Sequence, residues 1–235
     1  MQSDYQIQTL SPMGTLLPGR FQSIKRFSYR ITDAEPTHWP LSFRLYKAAF
    51  DILLSLLAIP AIVAIALVLF LVNPLLNPGP VFFRQERLGR HFQPFTMWKF
   101  RTMTVTSRST RGAEDGVEQN RITPLGRVLR KMRIDELPNF FNVLRGEMSV
   151  IGPRPDSLPH ARTYLSGIPH YGYRTLVKPG ITGLAQIEAG YAEGTAATAR
   201  KAHFDHLYVE ASCWRLDAWI AWRTAFVVLS GSGAK

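Results

Sequence analysis

DILLSLLAIPAIVAIALVLFLV, residues 51–72, decides how this chain is placed in space. From Ile52 to Val72 it carries no charge over 21 residues, and only Ser55 and Pro60 interrupt its small and aliphatic side chains. About 20 apolar residues make a helix long enough to cross a bilayer core. Pro60 argues for another path, because its missing N–H and the clash of its ring with the Leu56 carbonyl favour a sharp kink. Arms of 9 residues (51–59) and 12 residues (61–72) then remain. Each is about 14–18 Å long, enough for one leaflet. Cations flank both ends, Arg44 and Lys47 before and Arg84, Arg87 and Arg90 after. Positive flanks prefer the cytoplasm, which one straight span cannot satisfy. The reading is a re-entrant helix that enters and leaves by the cytoplasmic face, with a straight span and a buried core helix as the alternatives. Ser55 is expected to satisfy the carbonyl that Pro60 frees.

Outward from this run, residues 1–40 are dotted with Pro, Ser and Thr, hold no sustained period, and read as a flexible tail. Asn73-Pro74 and Asn77-Pro78-Gly79-Pro80 return the chain to water. Val81–Arg84 and Phe92–Trp98 flank Leu88-Gly89-Arg90 as a β-hairpin. In Lys99-Phe100-Arg101 the strand alternation puts Lys99 and Arg101 on one face, open to a phosphate or merely solvated. Residues 104–120 form a polar loop. Thr123-Pro124 then opens a helix, Thr as N-cap and Pro at the first position, with Leu125, Val128, Leu129 and Met132 as its packed stripe.

Five cations and no acid lie between residues 121 and 134, and Asp135-Glu136 follows at once. Pro138 is accepted only in a first helical turn, so a helix is expected to start at about Asp135 and to stop near Gly146. The helix N-terminus, Arg130 and Arg133 would keep Asp135 ionised. An N-cap Asp135 and a first-turn Glu136 explain the same residues without chemistry. Pro153-Arg154-Pro155 holds Arg154 extended, presenting its guanidinium to a phosphate or a uracil edge, unless it is a plain surface loop. Trp214 to Leu229 reads as a helix at a membrane interface or as an amphipathic core helix. His203, Asp205 and His206 lack the further ligands that a metal site needs.

The totals bound the partners. At 235 residues the chain holds one catalytic domain with appendages, and a formal charge of +11 calls for an anionic partner. The single Cys213, beside Trp214, allows no internal disulfide, fits a reducing compartment and reads as a packing residue.

Several ordered motifs resemble the bacterial sugar transferase family, the monotopic phosphoglycosyl transferases. They are Lys99–Met103, Leu129–Asn139, Phe141–Pro155, Lys178–Gln186 and Tyr208–Asp217, behind the kinked apolar run. The resemblance implies an enzyme that moves a sugar-1-phosphate from a UDP-sugar to undecaprenyl phosphate and releases UMP. This is the first membrane step of an exopolysaccharide, O-antigen or capsule glycan. It implies that Asp135 attacks the sugar-bearing phosphate, that Glu136, with Asp135, holds Mg²⁺, and that Pro153, Arg154 and Pro155 meet the nucleotide. Arg130, Lys99, Arg101 and Arg145 are the candidate phosphate contacts. The implied partners are these two substrates and inner-membrane lipids, with no nucleic acid, and a homo-oligomer stays open.

Two departures are visible. Ile59 stands where a Ser commonly precedes the kink proline, and Glu188–Gly194 lacks an Asn-Gly-Arg stretch. The expectation is an α/β, mostly helical α+β, membrane-associated domain of a small family member. It has a tail (1–40), a Pro-kinked re-entrant helix (41–80) and a catalytic domain (81–229) with a C-terminal interfacial helix, on the cytoplasmic side of the bacterial inner membrane. A non-enzymatic basic membrane adaptor and a ternary-complex transferase without a covalent intermediate are the rivals.

Overall fold

The apolar run folds as one unbroken helix. The computed structural model describes residues 39–105, 118–190 and 194–230. In it α1 spans Leu41–Leu76, 36 residues, with Pro60 and Pro74 inside. At 1.5 Å per residue this is about 54 Å of helix. Helical backbone therefore continues through Pro60. Proline's fixed φ suits a helix, and an apolar setting offers the backbone no partners other than its own. Ser55 does not serve the Leu56 carbonyl: its hydroxyl donates to Asp51 O at 2.6 Å, one turn earlier.

α1 buries a single stripe, Phe43, Lys47, Asp51, Ser55, Ile62, Leu69 and Asn73, at spacings of four or seven. Leu53, Leu57, Leu67, Phe70, Leu71 and Leu75 stay exposed, which is not how a soluble core helix packs. Among the described residues α1 is the one helix long and apolar enough to cross a membrane.

The stripe is fastened at both ends to the same body. Lys47 Nζ donates to Asp217 Oδ2 (2.8 Å), Ile151 O (2.8 Å) and Tyr208 Oη (3.1 Å). Asp51 Oδ1 accepts from Val150 N (2.8 Å) and Ser149 Oγ (3.0 Å). At the other end, Asn77 Nδ2 donates to Arg101 O at 2.8 Å.

Beyond α1 the fold is α+β and mostly helical. β1 (Phe82–Leu88) and β2 (Pro94–Phe100) form the expected antiparallel hairpin, with Phe82 opposite Phe100 and Phe83 opposite Lys99. His91 and Phe92 turn it with positive φ. β3 (Ser149–Ile151) and β4 (Gly180–Thr182) make a short parallel pair. Its backbones are so close that a Cβ on Gly180 would stand 2.2 Å from Gly152 N, so only glycine fits. α2 (Pro124–Lys131) begins as read, Thr123 Oγ1 accepting from Gly126 N at 3.0 Å. Its stripe does not all pack: Leu129 is buried, whereas Val128 and Met132 are exposed beside Arg127 and Lys131. The reason is spatial, since Gly126 lies against the Thr102 backbone and turns Val128 and Met132 outward.

α3 (Asn139–Leu144), α4 (Leu158–Gly167), α5 (Leu184–Glu188) and α6 (Thr195–Ala211) follow. α7 (Trp214–Leu229) then buries Leu216, Asp217 and Ile220 and exposes Trp214, Trp222 and Phe226. The core reading of this last helix thus holds for its buried face. The tail to residue 38, most of the polar loop (106–117) and part of the Glu188–Gly194 loop (191–193) lie outside the described residues.

Candidate active site

The carboxylate pair sits in a 3₁₀ turn, Ile134–Glu136, not at the start of an α-helix. Proline chemistry explains the difference. Pro138 has no N–H to give to Ile134 O four residues back, and Leu137 N takes that carbonyl instead, at 3.1 Å. α3 begins only at Asn139, and Asp135 caps nothing. Arg133, with φ 58°, supplies the left-handed turn that separates α2 from this segment.

Three distant stretches meet at Glu136. Lys99 Nζ, at the end of β2, donates to Oε1 at 2.9 Å. Arg154, in the loop after β3, closes a two-pronged grip, Nη1 on Oε2 at 3.0 Å and Nη2 on Oε1. Burial opposes ionisation of Glu136, but Arg154 and then Lys99 outweigh it and hold the carboxyl well below its usual range. Asp135 lacks such bonded partners. It is buried, and among the described residues its carboxylate makes no hydrogen bond. Burial raises its pKa, Lys99 opposes the rise, Glu136 adds to it, and Arg130 and Arg154 oppose it. The pKa of Asp135 is thus raised on balance, and what opposes the rise is side-chain cations, Lys99 first.

The Pro-Arg-Pro loop is braced on its main chain. Pro153 O accepts from Gly180 N (2.8 Å), and Pro155 O from Arg87 Nη1 (3.0 Å). Arg154 O accepts from Arg174 Nη2. Arg174 also pairs with Asp156 and, at 2.9 Å, with Asp205, while Tyr171 Oη donates to Asp156 at 2.5 Å. Burial disfavours the charge on Arg174, yet Asp205 and then Asp156 hold it firmly protonated. A small crevice separates the loop from Leu88, Tyr171 and Thr175. Sequence reasoning missed Arg174, Tyr171 and Asp156, because nothing in their spacing ties them to residue 154.

The other candidates divide. Arg130 stands over the site from α2, its Nε donating to Thr102 Oγ1 at 3.0 Å. Arg101 is engaged elsewhere, contrary to the shared face expected with Lys99. β2 ends at Phe100, and the Arg101 guanidinium wraps the elbow after α1, bonding Asn77, Pro80 O (2.7 Å) and Met103 O (3.0 Å). Arg145 lies exposed on the far end of α3, 3.8 Å from Glu147. The histidine reading stays bland: His206 pairs with Glu210 at 3.0 Å, and Asp205 with Arg174. No group of three metal-ligating side chains occurs among the described residues.

A metal here would rest on Asp135 and Glu136. Lys99 and Arg154 use three of the roughly four acceptor positions of Glu136, leaving one on Oε2 beside the unbonded Asp135 carboxylate. Such a pair of hard oxygens fits Mg²⁺, which takes one or two carboxylates and fills its shell with substrate oxygens and water.

A two-carboxylate turn ringed by cations thus sits on a domain that carries a long exposed apolar helix. The chain belongs to the bacterial sugar transferase family, whose sequence pattern matches residues 42–231. It is 40% identical over 195 residues to the UDP-N-acetylgalactosamine-undecaprenyl-phosphate N-acetylgalactosaminephosphotransferase of Aeromonas hydrophila, covering 82% of this chain and 46% of that protein. It is 40% identical over 185 residues to the UDP-glucose:undecaprenyl-phosphate glucose-1-phosphate transferase of Klebsiella pneumoniae (77% and 40% covered). The enzyme of that name from Escherichia coli is 39% identical over 186 residues (78% and 40%). The chain thus spans less than half the length of each of these relatives.

Proposed function

We propose that this protein transfers a sugar-1-phosphate from a UDP-sugar to undecaprenyl phosphate, releasing UMP and beginning a cell-surface glycan such as an exopolysaccharide, O-antigen or capsule. The observation that carries the reading is the contrast within the carboxylate pair. Glu136 is gripped by Lys99 and Arg154, while the Asp135 carboxylate beside it is buried, makes no hydrogen bond among the described residues and has Lys99, Arg130 and Arg154 near it.

In the proposed route an Asp135 oxygen attacks the sugar-bearing phosphorus. The bond to the UMP oxygen breaks, and UMP departs with that electron pair. The acyl-phosphate keeps the transfer potential until an undecaprenyl phosphate oxygen attacks the same phosphorus and frees Asp135. Phosphoryl transfer is mostly positioning and charge neutralisation, and Lys99, Arg130 and Arg154 supply both. Mg²⁺ held at Glu136 and Asp135 would neutralise the diphosphate oxygens. The braced Pro153-Arg154-Pro155 loop would seat the nucleotide.

The membrane reading follows from α1. Lys47 near its start and Asn77 just beyond its end both bond the catalytic body, which favours a helix that bends at Pro60, dips into one leaflet and returns. A span with its tail on the far side would separate those contacts by a bilayer. The catalytic face is then cytoplasmic, at the bacterial inner membrane, where UDP-sugars are found.

The test mixes purified protein with Mg²⁺ and a panel of UDP-sugars, first without lipid acceptor. One equivalent of UMP, with the sugar phosphate retained on protein, is expected for the right sugar. UMP only when undecaprenyl phosphate is added would replace the covalent route by a ternary one, and no UMP with either would leave a membrane adaptor. Arg154→Lys, which keeps the charge and loses the fork, should slow UMP release about ten- to a hundredfold. A parent-like rate would show that the fork is dispensable.

A further inference from the structure

We propose that a groove on the second half of α1 seats the isoprenoid chain of the lipid acceptor, an inference that rests on the transfer reaction proposed above. Val63, Ala66, Leu67 and Phe70 of α1 face Phe82 of β1 and Phe141 of α3 across about 450 Å³. That volume lies within the range of ligand pockets. The α1 positions recur every three or four residues just after Pro60 and so form one continuous face. No charged or hydrogen-bonding side chain lines the groove.

Its place relative to the carboxylates decides the occupant. Phe82 stacks on Phe100 with ring centroids 5.4 Å apart, and Phe100 follows Lys99, which grips Glu136. Phe82 and Phe141 pack on the cluster of Ile62, Leu69, Phe100 and Leu129, and so do Ile134 and Leu137, which bracket Asp135-Glu136. One packed unit therefore carries both the segment of the reacting carboxylates and the wall of the groove. An acceptor whose phosphate reaches Asp135 must carry its first isoprene units out of the site through an apolar path. This groove shares that packed unit with the site, and its α1 wall includes the exposed Leu67 and Phe70. A chain held there would approach Asp135 from the lipid side, while the UDP-sugar arrives from the Pro-Arg-Pro side, so the two substrates need not share one approach.

Leu67→Trp fills the groove from its open side, and Leu71→Trp, exposed on α1 but outside the groove, is the control. With saturating UDP-sugar, Leu67→Trp should raise the KM for undecaprenyl phosphate about tenfold over the control. A benzophenone-tagged polyisoprenyl phosphate should label the peptide covering residues 62–70 of the parent protein. Undecaprenyl phosphate should block that labelling, and phosphatidylglycerol should not. Equal kinetics of the two Trp variants overturn the proposal, and so does labelling displaced as well by phosphatidylglycerol, which would make the groove a seat for bilayer acyl chains. A parent protein that transfers to undecaprenyl phosphate while Leu67→Trp matches the control loses the groove alone. A parent that transfers nothing loses the underlying function.

Discussion

Asp135→Asn removes the UMP burst and lowers sugar-1-phosphate transfer by about a thousandfold or more, the scale on which loss of an enzyme's nucleophile is felt. The amide has nearly the size of the carboxylate and leaves Lys99 and Arg154 on Glu136 untouched. What it lacks is a charged oxygen able to form the bond to phosphorus. The variant also separates chemistry from folding. Asp135 is buried without a hydrogen bond among the described residues, and burial opposes its charge. An Asn there is expected to melt no lower than the parent, as at other sites where activity is kept against stability. Two measurements check this: retention on protein of label from the sugar-bearing phosphate, and the unfolding midpoint in the same detergent. An Asn variant that keeps the parent's burst removes Asp135 from the chemistry. A variant that loses both burst and stability makes Asp135 a structural residue.

Much of the architecture was legible because it is set locally. Thr123-Pro124 writes its own helix start, the Leu88-Gly89-Arg90 turn sets the hairpin, and the apolar run after Asp51 sets α1. The Asp-Glu pair and the Pro-Arg-Pro loop were also found, since unusual residue types in tight spacing stand out. Their connection was not legible. Lys99 reaches Glu136 across 37 positions and Arg154 across 18, and alternation along a strand cannot tell which of two cations turns inward. Arg101 shows the hazard, because its strand ends one residue before it and its donors go to an elbow of backbone carbonyls. The helical start assigned to Asp135 failed for a subtler reason. Pro138 was read as permitting a first turn, and its missing N–H also converts that turn to 3₁₀ form.

One signal in α1 was present and unread: Lys47, Asp51 and Ser55 fall at i, i+4 and i+8, a polar stripe along one face of an otherwise apolar helix. Charges so placed must be paired wherever the helix is covered, and their partners lie 98 to 170 residues away. They reach β3, the strand that leads through Gly152 to Arg154. The membrane helix is thereby attached to the strand that delivers the grip on Glu136, which links anchoring to assembly of the site.

That attachment makes Lys47→Met the substitution with the largest expected cost to folding. Lys47 and Asp217 are both almost fully buried, and Asp217 has Tyr208 Oη (2.8 Å) as its other hydrogen-bond donor. Removing the cation leaves a carboxylate in the interior without its counter-charge, a loss of about 3–5 kcal/mol. For a chain of this size that corresponds to a midpoint about 10 °C lower. The size of the effect comes from the stranded charge more than from the lost attraction, and a second variant tests this. Lys47→Met with Asp217→Leu removes both charges and keeps the bond from Tyr208 Oη to Ile151 O at 3.2 Å, so it should recover more than half of the lost stability. Thermal unfolding of the three proteins in one detergent decides the matter. A double variant as weak as the single one would mean that Lys47 acts through Ile151 O instead, holding β3 by its carbonyl.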